Sequence, residues 1–427
     1  MGATLIDMRK KKTKGINLAQ LLAPRNAHWL LIVGIALLYV LLPTIFSILY
    51  VNDPYLNKLA LLALLAISGM LVGSRILRGD DSLSAKNSSL APIKRANNWF
   101  VLINLGIFSL IYIVLIVTAD SIPIISALMG ADAISLSDER GAFLKQRSGI
   151  LEIMIYVFSI YVSSVIPFCV VLLFEIRSKL RVPVALFIGW VSISFLVKSM
   201  FLNLAIPLLV YAAVRREITN RAFMTTSLAL VIGLMGMIGL AGYNEESNSS
   251  GPLDVESYLS TAYGANSSID FLVWRAVVIP LVSSRDTLAV HEQQFSGRLL
   301  GGATSGTIAT LTGVDRVNME RLVFEHQYGG WSDIGNTNAT FIVDAFINFG
   351  YLGVFFYGVL ASISIKTLSL SKSLAMASMA PLLAFFLIGT SLVGAVLSNG
   401  FFVLFGWIAY RKFIKPIEKN YVLKTSN

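Results

Sequence analysis

The sequence predicts an all-α protein that crosses a membrane many times. Of its 427 residues, 56% are hydrophobic and only 14% are charged, and the mean hydropathy is +0.73. Soluble domains are much less apolar than this. Apolar runs close to the roughly 20 residues that a helix needs to cross a bilayer recur along the whole chain. These observations predict a polytopic membrane protein with about ten transmembrane helices.

Ten apolar runs can be placed, seven of them long and three short. The long runs are 28–50, 55–76, 99–118, 150–174, 222–243, 341–365 and 374–393, and the short ones are 183–197, 201–214 and 397–410. An even number of spans puts both termini on the same side of the membrane.

The distribution of charge tests this topology, because basic residues collect in cytoplasmic loops. The segments that would face the cytoplasm hold 24 of the 34 Lys and Arg residues and 6 of the 24 Asp and Glu residues. We therefore predict that both termini are cytoplasmic. The net charge of +10 follows from this orientation bias and needs no nucleic acid partner.

Two regions on the outer side are longer than simple connections. The first is 119–149, and the second is 244–340, whose 97 residues are typical of a functional loop. We expect the second to form a small helical cap, whose pieces are separated by breaks such as "GGATSGT". The chain then divides into a membrane part of seven helices (1–243), the large loop (244–340), and three helices with a basic tail (341–427).

Arg275 is the most informative basic residue. It lies in "FLVWRAVVIPLV", an apolar run too short to cross a bilayer. A guanidinium group there must find a counter-charge or a wet cavity, which favours a functional site. The alternative is an interfacial arginine whose head reaches water and pairs with a carboxylate.

Further basic residues gather on the same side. Arg140 and Arg147 are seven positions apart in "DERGAFLKQRSG", with Lys145 between them, so a helix would place both arginines on one face. Lys198 lies where the chain turns between two short apolar runs, and the alternative for it is a membrane-interface anchor.

Four more arginines lie in the large loop among many acidic residues. We expect most of them to be solvated ion-pair partners, although Arg285 is also a candidate for substrate binding. The four are Arg285, Arg298, Arg316 and Arg321.

The candidate acids and bases are Asp344, Glu152 and His326. In a helix, Thr340, Asp344, Asn348 and Tyr351 would form one polar stripe at the outer end of a span, and Asn348 and Tyr351 are candidates for substrate binding. A carboxylate within a span is a functional hypothesis by default, with helix pairing or neutralisation of Arg275 as the alternative. Glu152 begins the fourth span, and His326 can titrate near neutral pH.

The sequence contains no P-loop, dinucleotide fingerprint, serine triad or metal-ligand constellation. We therefore expect no metal and no cofactor, and neither an ATP-driven pump nor a nucleotide-sugar enzyme. Arginines and lysines at the outer face, near an apolar groove and a carboxylate, suit a lipid-linked diphosphate. Arginine binds phosphate oxygens in a bidentate manner and can stabilise a departing pyrophosphate, while a carboxylate or His takes a proton from an attacking sugar hydroxyl.

Three stretches resemble the bacterial oligosaccharide repeat-unit polymerases, the Wzy-type O-antigen polymerases. They are "FLVWRAVVIP" in the large loop, "NATFIVDAFINFGYLGVFFYGVL" after it, and the helical pair around "FLVKSMFLNLAIPLLVY". Arg275 matches the family's arginine in the loop, and Asp344, Asn348 and Gly350 match its D-A-x-x-N-F-G pattern. Lys198 stands where related sequences often have Arg, which keeps the charge but loses bidentate geometry.

The resemblance implies a GT-C-like membrane glycosyltransferase that needs neither nucleotide sugar nor metal. It would join undecaprenyl-diphosphate-linked oligosaccharide units at the periplasmic face of the bacterial inner membrane, in O-antigen or related polysaccharide synthesis. A chain-length-regulating co-polymerase is left open as a partner. Two alternatives remain: an O-antigen ligase, which uses the same donor, and a lipid-linked oligosaccharide flippase, which the large outer loop disfavours.

Overall fold

All regular secondary structure that the computed structural model describes is helical. The described residues are 23–49, 52–77, 91–131, 133–145, 147–215, 259, 263, 268–329, 336–337 and 339–413, and they contain no strand. The predicted span 222–243 lies outside them, as does most of the first part of the large loop.

The described helices are numbered here in chain order. They are α1 Pro24–Ile48, α2 Pro54–Ile76, α3 Ala91–Val117, α4 Pro123–Leu128, α5 Ala133–Lys145, α6 Ile150–Glu175, α7 Arg181–Ser194, α8 Lys198–Val214, α9 Ser268–Val273, α10 Ile279–Phe295, α11 Gly306–Thr312, α12 Met319–Tyr328, α13 Phe341–Ser369, α14 Leu374–Ala377, α15 Ala380–Gly389 and α16 Phe401–Phe413.

Five of these helices are long and apolar enough to cross a membrane, namely α1, α2, α3, α6 and α13. Helices α7, α8 and α16 and the pair α14–α15 are shorter apolar segments at four further predicted positions. The predicted run 374–393 is not one continuous helix, because a turn separates α14 from α15 and Pro381 starts the second helix. The composition and the helices together indicate a multi-pass membrane protein.

Helices α2 and α13 form the closest packing in the bundle. Gly69 and Gly73 of α2 lie against the backbone carbonyls of Phe355 and Val359, and Gly358 of α13 lies against the carbonyl of Ala66. A methyl group on Gly69 would approach the Phe355 oxygen to 2.1 Å. Small residues spaced four apart allow such close backbone approach between membrane helices.

These two helices run in the same direction. Near their starts, the Lys58 ammonium group lies 4.7 Å from the centre of the Phe346 ring. Near their ends, Lys366 donates hydrogen bonds to the carbonyls of Ser74 and Leu77. Both helices therefore begin at the end of the bundle where the large loop docks.

A carboxylate joins two helices at the other end of the bundle. Glu175, the last residue of α6, accepts hydrogen bonds from the backbone amides of Leu374 and Ala375 and from the Ser373 hydroxyl, at 2.8–2.9 Å. These bonds satisfy amides that have no partner within the first turn of α14.

The described part of the large loop is helical, as the sequence predicts for a cap. Helices α9 and α10 are joined by a π-helix over Trp274–Val278. The separate helical segments that the sequence predicts around Arg275 are therefore one continuous helix. Helix α11 begins inside the Gly- and Ser-rich stretch that the sequence predicts as a break. Its start is fixed by the Ser305 hydroxyl, which caps the Ile308 amide, and its end by Gly313 with a φ of +70°.

Candidate functional site

Two cavities lie side by side where the large loop meets the start of α13. The carboxylate cavity, of about 370 Å³, is lined by Asp344 and Glu320. The arginine cavity, of about 540 Å³, is lined by Arg275 and by aromatic side chains. Thr337 lines both, so the two cavities adjoin. Their sizes are typical of small-molecule sites.

Asp344 is held with one oxygen bound and the other directed to the carboxylate cavity. Its Oδ1 accepts hydrogen bonds from the Thr304 hydroxyl at 2.8 Å and from the Asn348 amide at 3.1 Å. Its Oδ2 has no hydrogen-bond partner in the described part of the chain, and Asp344 lines the cavity wall. An oriented carboxylate with one open oxygen can accept a proton from a bound hydroxyl.

Asn348 connects this carboxylate to the loop before α11. Its amide nitrogen also donates to the Thr304 hydroxyl at 2.7 Å, and its side-chain oxygen accepts from the Gly302 amide at 2.9 Å. The Asn348 side chain is 2% exposed. A buried amide with this many bonds fixes both Asp344 and the loop that carries Thr304.

A break in α13 at Gly350 makes this docking possible. Gly350 has φ 66° and ψ −159°, which is not helical, although the flanking residues are. The carbonyls of Ile347 and Asn348 are thereby available, and they accept hydrogen bonds from Leu300 and Gly301 at 2.9 and 3.0 Å. The sequence predicts one straight helix here, but glycine permits the sharp bend.

The bend also separates Tyr351 from the polar stripe to which the sequence assigns it. Asn348 is buried, whereas Tyr351 is 51% exposed and packs its ring edge against Phe346. Of the four stripe residues, Asp344 and Asn348 act together at the cavity. The Thr340 hydroxyl caps the start of α13 by accepting from the Ile342 amide.

Arg275 lies in the π-helix between α9 and α10 and lines the arginine cavity. No hydrogen bond or ion pair to the described residues holds its guanidinium group. Arg140 of α5 lies nearby. Burial lowers the pKa of Arg140, and the positive charge of Arg275 lowers it further. The charge of one arginine thus acts on another that the sequence selects from a distant loop.

The Tyr328 hydroxyl belongs to the same region. Burial raises its pKa, and the nearby positive charge of Arg275 opposes that shift. The remaining cavity wall contains Tyr263, Phe271 and Trp274, whose rings lie 5.7–6.0 Å apart around Trp274. Cations beside aromatic faces suit a ligand that carries both an anionic group and a flat apolar or sugar surface.

Arg285 has partners within the protein. Its Nε and a terminal nitrogen both lie 2.7 Å from Oδ1 of the buried Asp286, and its Nε lies 3.9 Å from Asp53. The other oxygen of Asp286 accepts from Gln327 at 2.7 Å, and the Gln327 oxygen accepts from Thr337 at 3.1 Å. Arg285 therefore supports the wall between the cavities and lines neither of them.

The other loop arginines divide into two groups. Arg321 pairs with Glu325 at 2.7 Å, as expected for a solvated ion pair. Neither Arg298 nor Arg316 forms an ion pair within the described chain, and Arg316 lines the carboxylate cavity.

The remaining predicted residues lie outside the two cavities or have undescribed side chains. Glu152 and His326 are exposed, and neither lines the carboxylate cavity or the arginine cavity, although Tyr156, one turn after Glu152, lines the carboxylate cavity. Arg147 lies beyond the end of α5, where it bonds the Thr118 carbonyl and hydroxyl instead of sharing a helical face with Arg140. Lys145 ends α5 and Lys198 begins α8; their side chains lie outside the description.

The sequence gives no indication that Thr304, Gln327 and Thr337 belong to the site, or that Arg316 lines it. Hydroxyl and amide side chains in a Gly- and Ser-rich loop carry no distinctive local signal, because their partners are distant in the sequence. The one usable signal was the pair of adjacent glycines before Thr304, which permits close backbone approach to α13.

No group of three or more His, Cys, Asp or Glu within the described residues could hold a metal ion. Comparison of the chain with protein-family models, with curated proteins and with solved structures gives no match in any of the three. The similarity to the repeat-unit polymerases therefore stays a prediction from the motifs.

Proposed function

We propose that this protein is a membrane glycosyltransferase that polymerises undecaprenyl-diphosphate-linked oligosaccharide units. The observation that carries the proposal is the position of Arg275, which has no ion-pair partner among the described residues and lines a cavity that adjoins the one containing the oriented carboxylate of Asp344. The positive charge of Arg275 also acts on Arg140, and an anion such as a diphosphate stabilises two such positive charges.

The arginine cavity would bind the donor. Arg275 and Arg140 contact the diphosphate, and the aromatic wall packs against the first sugar or the start of the lipid. As the glycosidic C1–O bond to phosphate breaks, the electron pair stays on the departing lipid diphosphate. The guanidinium groups stabilise that developing charge.

The carboxylate cavity would hold the acceptor. A sugar hydroxyl of the second chain forms the new bond to C1 and gives its proton to Oδ2 of Asp344. Thr304 and Asn348 keep that oxygen in place by occupying Oδ1. Neither a metal nor a nucleotide sugar enters this scheme.

The proposal includes the cellular setting that the charge distribution predicts. The protein would lie in the bacterial inner membrane as a GT-C-like bundle of ten spans, with both termini in the cytoplasm and the two cavities at the periplasmic face. A chain-length-regulating co-polymerase is the partner that would limit product size.

The test is transfer by the purified protein. The protein in detergent is incubated with the lipid-linked repeat unit of its source cell and with a chelator, and the products are separated by size. A ladder spaced by one repeat supports the proposal. Unextended substrate contradicts it, and a single transfer that requires added lipid A-core identifies a ligase instead.

A further inference from the structure

Thr337 lies at the junction of the two cavities, and its hydrogen bonding is fixed by residues behind it. The Asp286 carboxylate accepts from the Gln327 amide nitrogen, so the Gln327 side-chain oxygen faces Thr337. That oxygen can only accept, and it takes the single proton of the Thr337 hydroxyl. Thr337 therefore offers only lone pairs to a ligand.

Asp344 also presents only a hydrogen-bond acceptor to the carboxylate cavity. Its Oδ1 is occupied by Thr304 and Asn348, which leaves Oδ2 as a second hydrogen-bond acceptor facing the cavity. The carboxylate of Glu320 contributes to the same lining. One part of the wall thus consists of acceptors.

Donors line another part of this cavity. Arg316 carries a guanidinium group with no ion-pair partner in the described residues. The Asn318 side-chain oxygen caps the Arg321 amide at 3.2 Å, which leaves the Asn318 amide nitrogen as its available group. A ligand that fits must donate to Thr337 and Asp344 and can accept from Arg316 and Asn318.

We propose that the carboxylate cavity selects the hydroxyl-bearing end of a carbohydrate, and that Thr337 is a specificity-determining residue because it accepts a hydrogen bond from a sugar hydroxyl or an N–H group. This inference rests on the proposed function, which it deepens by naming the acceptor chemistry. A hydroxyl group both donates and accepts, so it satisfies both parts of the wall. A phosphate accepts only and would leave the lone pairs of the Thr337 hydroxyl and of Asp344 Oδ2 without a donor.

The test measures binding by calorimetry, with the protein in lipid nanodiscs. The probes are the oligosaccharide released by mild acid from the source cell's lipid-linked pool, the same oligosaccharide after permethylation, and inorganic pyrophosphate. Permethylation keeps the oxygens and removes the hydroxyl donors. Thr337→Val removes the hydroxyl at nearly constant shape, and Thr337→Ser retains it.

We expect Thr337→Val to weaken binding of the free oligosaccharide about tenfold and to change pyrophosphate binding less than about twofold. Thr337→Ser should bind the oligosaccharide within about threefold of wild type. The permethylated probe should bind wild-type protein at least about tenfold more weakly than the free oligosaccharide. Retained pyrophosphate binding also shows that the variants are folded.

Equal oligosaccharide affinity for Thr337→Val and wild type, or equal affinity of wild type for both oligosaccharides, overturns the inference. Failure of wild type to bind the free oligosaccharide overturns it as well. The ladder assay on the same sample then separates failure of this inference from failure of the proposed function. A ladder that grows equally with wild type and Thr337→Val supports the proposed function and contradicts only the role of Thr337.

Discussion

Arg140 and Arg275 come from two different loops; burial lowers the pKa of Arg140, and the positive charge of Arg275 lowers it further. Like charges normally separate unless an anion or the fold holds them together. Neither arginine forms an ion pair within the described chain. Two such positive charges suit an anionic ligand, and Arg275 lines the arginine cavity, which adjoins the cavity of Asp344.

Asp344→Asn tests the assigned base. The amide keeps the size and can keep the bonds to Thr304 and Asn348, but it cannot take a proton. We expect transfer to fall at least about 100-fold, with little change in donor binding. Rates of ladder growth and the affinity for farnesyl diphosphate, a short polyprenyl diphosphate, give the two readouts. Ladder growth within about threefold of wild type would exclude Asp344 as the base.

The two candidates Asp344 and Asn348 could be selected from the sequence because a carboxylate and an amide one helical turn apart interrupt an apolar run. Their partner Thr304 could not, since that contact depends on how the loop folds back onto α13. The same limit applies to Tyr351, because a periodicity argument assumes a straight helix and the bend at Gly350 changes the register.

The helical fold could be predicted from the sequence more completely than the site could. Apolar length alone located the spans that α1, α2, α3 and α6 occupy, because crossing a bilayer imposes that length. The π-helix at Arg275 depends on packing between distant segments and has no comparable sequence signal.

Gly350→Ala should destabilise the protein through its backbone. An added Cβ would meet only the Leu299 side chain at 3.7 Å, which is ordinary contact, so the cost comes from the φ of +66°. We expect a loss of about 1–3 kcal/mol in unfolding free energy. Gly406→Ala, within α16 and with nothing near its Cβ, is the matched control and should be neutral. Thermal unfolding in detergent compares the two variants. Equal unfolding midpoints would show that the backbone conformation at Gly350 carries no cost for alanine.

Arg285→Ala should act on stability and not directly on the ligand. It leaves Asp286, which is 5% exposed, without its cationic partner, at a cost of about 3 kcal/mol. Arg298→Ala removes an exposed charge and should change the unfolding free energy by less than about 0.5 kcal/mol. Denaturant unfolding of both variants gives the comparison. A stable Arg285→Ala protein with impaired substrate binding would restore Arg285 as a ligand-binding residue.

Gly69→Ala tests the contact between α2 and α13. The new methyl group would lie 2.1 Å from a backbone oxygen, so the helices must separate. We expect a loss of about 1–3 kcal/mol and a lower midpoint of thermal unfolding. Gly106→Ala in α3 has open space around its Cβ and should match wild type. An unchanged midpoint for Gly69→Ala would mean that the two helices do not pack this closely.

Arg140 and Arg275 are proposed to bind a lipid diphosphate together, and the affinity for farnesyl diphosphate measures that contribution. Titrations compare wild type with Arg275→Ala, Arg140→Ala, the double variant and the control Arg298→Ala. We expect at least about tenfold weaker binding for each single variant, because a charge-assisted hydrogen bond contributes about 1.5–3 kcal/mol. Arg298→Ala should bind as wild type does. Wild-type affinity in the folded double variant would show that these arginines do not bind the diphosphate.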